Sequence, residues 1–334
     1  MSASAQLRRV ATPLLRRPLG RDTALRFAAH RGRALVLLYH RVLPDGSPVD
    51  PIVPSLSASL FRRQMESLLR AGDVVPLSEL IASPHDTAGA RRSRPRFALT
   101  FDDDHAGYVE TVLPALRAVG VPATFFLSGR VLHGLPPYWW ASVESSLRTH
   151  GFAVTRDTLG IGGHTVADLV AALECSGRAA EITRRLPPAS ETPMTAEHVR
   201  VLSNEGMTIG FHTLHHPVLT AQESGDLDAA LTIGRRELEA AAGARVDLLA
   251  YPHGQADAMV ADAAERAGFA AAFATGGRPI TATSDRFLLG RWEPGPLEPA
   301  EFNAAVAMRL LRWPTAPRTK RRPRRVGATA ATAV

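Results

Sequence analysis

A chain of 334 residues with 45% hydrophobic and 21% charged side chains can bury a sizeable core and has the balance of a globular enzyme. Its formal charge of +7 comes from its ends: eight Arg against one Asp in residues 1–33 and six basic residues with no acid in 313–334 leave 25 basic and 31 acidic side chains in 34–312, so nucleic-acid binding is not expected. The single cysteine, Cys175, excludes an intrachain disulfide and a cysteine-based zinc site.

Residues 1–33 read as a basic N-terminal segment. Arginines and prolines recur through residues 8–33 and leave no uninterrupted apolar stretch for a secretory signal. Runs such as Ala34 to Tyr39 fall well short of the roughly 20 apolar residues that span a bilayer. Leu7, Val10, Leu14 and Leu15 form a short apolar stripe between arginine pairs, expected to pack on the protein. From residue 34 onward, short apolar runs alternate with helical stretches, the rhythm of an α/β fold with a mostly parallel sheet. Strands are predicted at 34–39, 96–101, 122–127, 207–211, 247–251, 269–274 and 286–290. Helices are predicted at 57–71, 107–118, 138–149, 195–204, 223–242, 256–266 and 298–311. Gly72, Gly120, Gly206, Gly243 and Gly268 each follow a predicted helix, where a C-cap favours positive φ. The Pro- and Gly-rich stretch 129–194 reads as an excursion over one end of the fold, 83–95 as a surface loop and 313–334 as a basic disordered tail. Seven strands favour a barrel over an open doubly wound sheet.

Three clusters stand at predicted strand C-termini, where α/β sheets place their sites. Asp102, Asp103 and Asp104 follow the strand RFALTF. Consecutive carboxylates repel, and a divalent cation offsets that cost by taking one as ligand and leaving its neighbour free as a base. An isolated Asp-Asp pair would otherwise read as an acidic helix N-cap. The second cluster, His212-Thr213-Leu214-His215-His216, offers two imidazoles at i and i+4; His212 with His216 is the better-spaced pair, with His215 as the alternative. The third, Tyr251-Pro252-His253-Gly254, is a stiff loop that can aim a backbone N–H at an oxyanion, or an ordinary turn. Trp139 and Trp140 read equally as a sugar-stacking pair and as packing. His30, His85, His105, His133, His150, His164 and His198 lack a partner motif and read as surface or local structural residues.

Taken in order, Leu38-Tyr39-His40-Arg41-Val42, Leu99-Thr100-Phe101-Asp102-Asp103, Gly120-Val121-Pro122-Ala123-Thr124-Phe125-Phe126, Gly206 to Thr213 and Ala250-Tyr251-Pro252-His253-Gly254 resemble the signatures of the NodB-like polysaccharide deacetylases, carbohydrate esterase family four. The resemblance covers roughly residues 34–292 and is to the subgroup with a Tyr-Pro third motif and an early Tyr-His motif. It implies a deformed (β/α)7-type barrel as catalytic domain over 34–312 and a divalent metal, commonly zinc, with Co2+, Ni2+, Mn2+ and Fe2+ as alternatives. Carried over by position, Asp103, His212 and His216 ligate the metal and Asp102 is the base. Tyr251, Pro252 and His253 form the substrate loop, with a backbone N–H near Tyr251 at the oxyanion. His40 fits the general acid, with His253 as its competitor.

The chain departs from the pattern in three places. Asp104 stands where the first motif normally ends in Gly, adding a third negative charge. Ala250 stands where many members carry an Arg that orients the catalytic Asp, as in the Tyr-Pro subgroup. The late segment Leu288-Leu289-Gly290-Arg291-Trp292 lacks the histidine that many members use as acid.

The function this implies is metal-dependent removal of an N-acetyl group from an amino sugar in glycan or glycolipid assembly. A lipid- or nucleotide-linked substrate is expected, in the cytoplasm, with peripheral contact at the inner membrane face through the basic ends. The alternatives are hydrolysis of another amide or ester on the same fold and a catalytically silent carbohydrate-binding protein, the latter prompted by Asp104 and the missing late histidine.

Overall fold

Each predicted apolar run forms a strand in the computed structural model, which describes residues 15, 17–82, 93–187, 189 and 194–311. The strands are β1 (Ala34–Tyr39), β2 (Arg41–Leu43), β3 (Ser55–Ser57), β4 (Asp73–Val74), β5 (Arg96–Asp102), β6 (Thr124–Leu127), β7 (Thr208–Phe211), β8 (Leu248–Ala250), β9 (Ala271–Thr275) and β10 (Leu289–Trp292). β5 through β10 pair in order, and β1 pairs with both β5 and β10, which closes a seven-stranded barrel of parallel strands. Short β4 extends the sheet beside β5, and β2 pairs only with β3. The predicted tail 313–334, most of the 83–95 loop, and Leu7, Val10 and Leu14 lie outside the described residues; Leu15 is buried in the main core.

Several predicted helices differ in extent. The 223–242 helix is two, Ser224–Thr232 and Arg235–Ala242, separated at Gly234, whose φ is +87°. The 138–149 helix continues to Leu159 through a break at Gly151. Helices Pro18–His30, Leu77–Ala82, Val166–Ser176 and Ala179–Ile182 were not foreseen, nor were the two- and three-residue strands β2 to β4. Gly120, Gly206, Gly243 and Gly268 do take positive φ. Gly72 does not: its φ is −173°, and glycine is required there because a Cβ would stand 2.2 Å from the Pro95 carbonyl oxygen.

A period of two divides the barrel strands between two cores. Leu35, Leu37, Phe97, Leu99, Phe101, Phe125 and Phe211 face outward, to the surrounding helices. Ala34, Val36, Ala98, Phe126, Ala250, Phe273 and Leu289 fill the barrel interior. Gly210 belongs to the inner set, where a Cβ would lie 2.4 Å from the Phe126 ring. Continuing the inner set by two residues toward the C-terminal end of each strand reaches Leu38 then His40, Thr100 then Asp102, His212, and Arg291. Residues without apolar neighbours above them thus form the floor of a cleft.

The N-terminal helix Pro18–His30 buries Ala24, Leu25 and Ala28 in the main core, and Arg33 donates to the Leu310 carbonyl oxygen. Over the C-terminal end of the barrel, helices Trp139–Leu159, Val166–Ser176 and Ala179–Ile182 enclose a small core of their own around Val143, Leu159, Leu169 and Leu173. This cap is anchored by a buried ion network. Arg41 bridges Asp50 at 2.9 Å and Glu144 at 2.6 Å, while Arg148 holds Asp50 from the other side at 2.6 Å. Glu144 also accepts from the Ile52 and Val53 backbone N–H groups, which sets the wall of the cleft. Among the described residues no helix is long and apolar enough to cross a membrane.

Candidate metal centre and cleft

A cleft of about 520 Å³ opens at the C-terminal ends of the barrel strands. His40, Asp102, Asp103, His212, His216 and His253 all line it, so the structure gathers one side chain or more from each cluster. Asp103, His212 and His216 each offer one donor atom, and the three atoms lie within 4.8 Å of one another. Asp103 Oδ1 is 3.7 Å from His212 Nε2 and 4.0 Å from His216 Nε2. Those separations are long for hydrogen bonds, and somewhat wider than the roughly 3.4 Å between ligands of a tetrahedral ion with bonds of about 2.1 Å.

The donor set fits a divalent cation on two further observations. Asp103 Oδ1 is buried and has no hydrogen-bond partner among the described residues. His212 Nδ1 lies 2.9 Å from the Ala250 carbonyl oxygen, so that nitrogen carries the proton and Nε2 presents its lone pair to Asp103. Burial and the neighbouring imidazoles hold His216 well below the usual imidazole range, in the neutral form a ligand needs. Burial pushes the Asp103 carboxyl up, reinforced by Asp102 and Asp104 and opposed only in part by His40 and His212. A cation between these groups removes that repulsion.

Backbone conformation aims these side chains. Among the described residues, the non-glycine positions with positive φ are Asp103 (+75°), Thr213 (+60°), His216 (+51°) and His253 (+57°), all in the site loops. Strain of this kind costs about 1–3 kcal/mol per residue and persists where surrounding structure holds it. At Asp103 it turns consecutive carboxylates into the same cleft, where strand alternation would have sent them apart.

Asp102 has a partner the sequence did not reveal. Arg291, fully buried on β10, donates through both terminal nitrogens, at 2.5 Å to Oδ1 and 2.6 Å to Oδ2. Burial alone would raise the Asp102 carboxyl; the Arg291 guanidinium, helped by His212 and His40, holds it below the usual carboxylate range instead. Arg291 therefore does for Asp102 what the arginine absent at Ala250 would do. Sequence reading passed over it because β10 begins later than predicted and an arginine there reads as an ordinary strand residue.

Glu293, also unforeseen, accepts from His40 Nδ1 at 2.8 Å. Burial lowers the His40 pKa, but the Glu293 hydrogen bond and the Asp103, Glu293 and Asp102 charges outweigh it, so the imidazole sits above its ordinary value. His105, set aside as local structure, is buried beside the centre. Its Nδ1 accepts from Arg41 Nε at 3.2 Å and its Nε2 is 3.9 Å from Asp103 Oδ2. Trp140 packs edge-on against His216 at 5.2 Å and stacks on Tyr138 at 4.2 Å, while Trp139 lines the cleft.

Two expectations need correction. Asp104 does not crowd the centre: its carboxylate accepts from the Ser128 N–H at 2.8 Å, the Ser128 hydroxyl at 2.5 Å and the Arg130 N–H at 3.2 Å, tying β5 to the turn after β6. The left-handed residue is Asp103, not Asp104. Tyr251 does not offer its backbone to an oxyanion, because its N–H donates to the Phe273 carbonyl oxygen of β9 and its buried hydroxyl donates to that of Phe287. Pro252 has no N–H to offer. Of the three loop residues only His253 lines the cleft.

The sequence profile described as "Polysaccharide deacetylase" matches residues 89–272. A chitin deacetylase of Pestalotiopsis sp is 31% identical over 150 residues, covering 41% of this chain and 46% of the other, so the chain matches about half the length of that relative. Among solved structures, the Streptococcus pyogenes deacetylase PplD in complex with acetate superposes with a TM-score of 0.58 at 15% identity, over 83% of this chain and 98% of its own. IcaB from Ammonifex degensii gives 0.54 at 18% identity, over 84% and 97%. At these identities the superpositions establish a shared fold.

Proposed function

The chain belongs to the polysaccharide deacetylase family, and from that premise we propose that it hydrolyses the N-acetyl group of an amino sugar at a centre formed by Asp103, His212 and His216. The observation that carries this reading is the convergence of those three donors beside an ionised, arginine-held Asp102. A divalent cation bound there, which we take to be zinc, supplies Lewis-acid polarisation of an acyl carbonyl and of the attacking water. Asp102, kept as a carboxylate by Arg291, accepts the proton of that water. His40, kept protonated by Glu293, gives a proton to the departing amine from the opposite wall. The acetyl group leaves as acetate and the sugar keeps a free amine. Trp139 offers an indole face to the sugar, and the Ile52–Pro54 segment an apolar wall.

The engagement of Asp104 with Ser128 and Arg130 and the presence of His40 with Glu293 supply what the two departures from the family pattern had put in question. We place the reaction in the assembly of a glycan or glycolipid, on a soluble or carrier-linked precursor in the cytoplasm. Acetate release measured on a panel of N-acetylated sugars, with small acetamides and acetate esters alongside, tests the reading. Release from the sugars that stops on chelation supports it; turnover of the esters or simple amides alone would replace it with another hydrolysis.

The His40–Glu293 pair gives a pH prediction. A general acid works while protonated, so activity falls as pH rises through the His40 pKa. Glu293→Gln removes a charge that raises that pKa, and the alkaline limb of the kcat profile is expected to move to lower pH. An unchanged alkaline limb would assign the proton to another donor, His253 first.

A further inference from the structure

A second hollow, of about 350 Å³, lies beside the cleft. Trp139, Trp140, His216 and His253 line both, so the two share a wall that includes one of the candidate metal ligands. Their charges are opposite in kind. The cleft holds Asp102, Asp103, Glu174 and Glu293, whereas the hollow is lined by Arg130 and Arg184 and by no carboxylate.

The cation at Arg130 is fixed in place by neutral groups. Its guanidinium donates to the carbonyl oxygens of Pro136 at 3.0 Å and Leu214 at 3.1 Å and sits 4.5 Å from the centre of the Tyr138 ring. Asp104, on the neighbouring loop, is occupied by Ser128 and by the Arg130 backbone N–H. Arg184 is exposed at the rim, and Glu181, one turn before it, is held in a fork by Arg178 at 2.6 and 2.9 Å. Pro137, Tyr138 and Leu186 give the same hollow an apolar floor. Two guanidinium groups suit an oxyanion, and a volume of this size with an aromatic and aliphatic lining has room for what that anion is esterified to.

We propose that this hollow is a subsite for a phosphate ester borne by the sugar whose acyl group occupies the cleft. The proposal rests on the hydrolytic reading above and narrows its substrate class from N-acetylated sugars in general to phosphorylated ones. A phosphate held between Arg130 and Arg184 positions the neighbouring sugar against the Trp139–Trp140 wall. The carrier beyond the phosphate, a nucleoside or a prenyl chain, runs over the apolar lining.

The test compares N-acetylglucosamine 1-phosphate with the neutral methyl glycoside of N-acetylglucosamine, by calorimetric binding and by acetate release, in the wild type and in Arg184→Glu. Loss of one charge-assisted contact is worth about tenfold or more in affinity. The wild type is expected to bind the phosphate about tenfold more tightly than the glycoside, and R184E to lose that preference while handling the glycoside unchanged. Arg184→Gln should fall between them. Equal binding of both ligands by the wild type, or equal weakening of both in R184E, would overturn the subsite. Because binding needs no turnover, the two readings fail separately. A phosphate preference lost in R184E without acetate release from any sugar keeps the subsite and sinks the hydrolysis; acetate release with no phosphate preference does the reverse. Uridine-diphosphate-linked and farnesyl-phosphate-linked N-acetylglucosamine, run as further arms, show by which binds more tightly whether the carrier is a nucleotide or a lipid.

Discussion

Asp102→Asn is expected to lower kcat for acetate release by about 10²- to 10⁴-fold, the range a positioned general base contributes. The carboxylate is buried and ionised, and both its oxygens face Arg291, so an amide of nearly the same shape still fits but accepts no proton. Asp103 is the residue offered to the cation, so metal content should stay at the wild-type level. KM should change far less than kcat, since the missing step is proton removal and not substrate contact. Activity within a few-fold of wild type in this variant would move the base elsewhere, with His105 as the next group beside Asp103.

The second large effect is expected at Arg291. Arg291→Met removes a cation from a fully buried pair and leaves Asp102 without its counter-charge, a loss of about 3–5 kcal/mol when one partner of a buried ion pair is deleted. Denaturant unfolding measures that loss directly. Catalysis should suffer in a way that separates Arg291 from a merely structural residue. A base works while ionised, so activity falls as pH drops through the Asp102 pKa. Arg291 depresses that pKa, and its removal should carry the acidic limb of the profile to higher pH. Arg291→Lys keeps the charge without the fork and should give a smaller displacement. An acidic limb that stays at its wild-type position in R291M would deny Arg291 its role in keeping Asp102 ionised.

Much of this site was legible in sequence because its metal donors sit in short local motifs. Asp102 and Asp103 end a strand that alternation makes recognisable, and His212 and His216 share a loop after another. The same period of two, read from Ala34 through His40, points His40 into the same cleft. What escaped depends on contacts across the closed barrel. Arg291 meets Asp102 across 189 residues of chain, because β1 lies between β5 and β10 in the sheet order. Glu293 reaches His40 by the same closure, over 253 residues. The oxyanion role expected at Tyr251 failed for a related reason, since its N–H is claimed by β9, a neighbour that the local string cannot reveal. At Asp104 the composition suggested surplus charge near the metal, while the fold spends that carboxylate on the Ser128 turn.

The cap helices were hard to read for a different reason. Helix Val166–Ser176 opens with a full capping box at Thr165 and Asp168, a signal present in the sequence but standing within a Gly- and Pro-rich stretch that reads as irregular. Their small core around Leu169 and Leu173 brings Val170 and Glu174 to the rim of the cleft.

The account turns on Asp103, His212 and His216 holding one catalytic cation. Elemental analysis of the purified protein, paired with acetate release from N-acetylated sugars, tests that most directly in the wild type and in His216→Ala. One equivalent of divalent metal per wild-type chain, lost together with acetate release in H216A while the fold persists by circular dichroism, is the predicted result. Full acetate release from a chain stripped of metal, or an H216A variant that keeps both metal and activity, would contradict it.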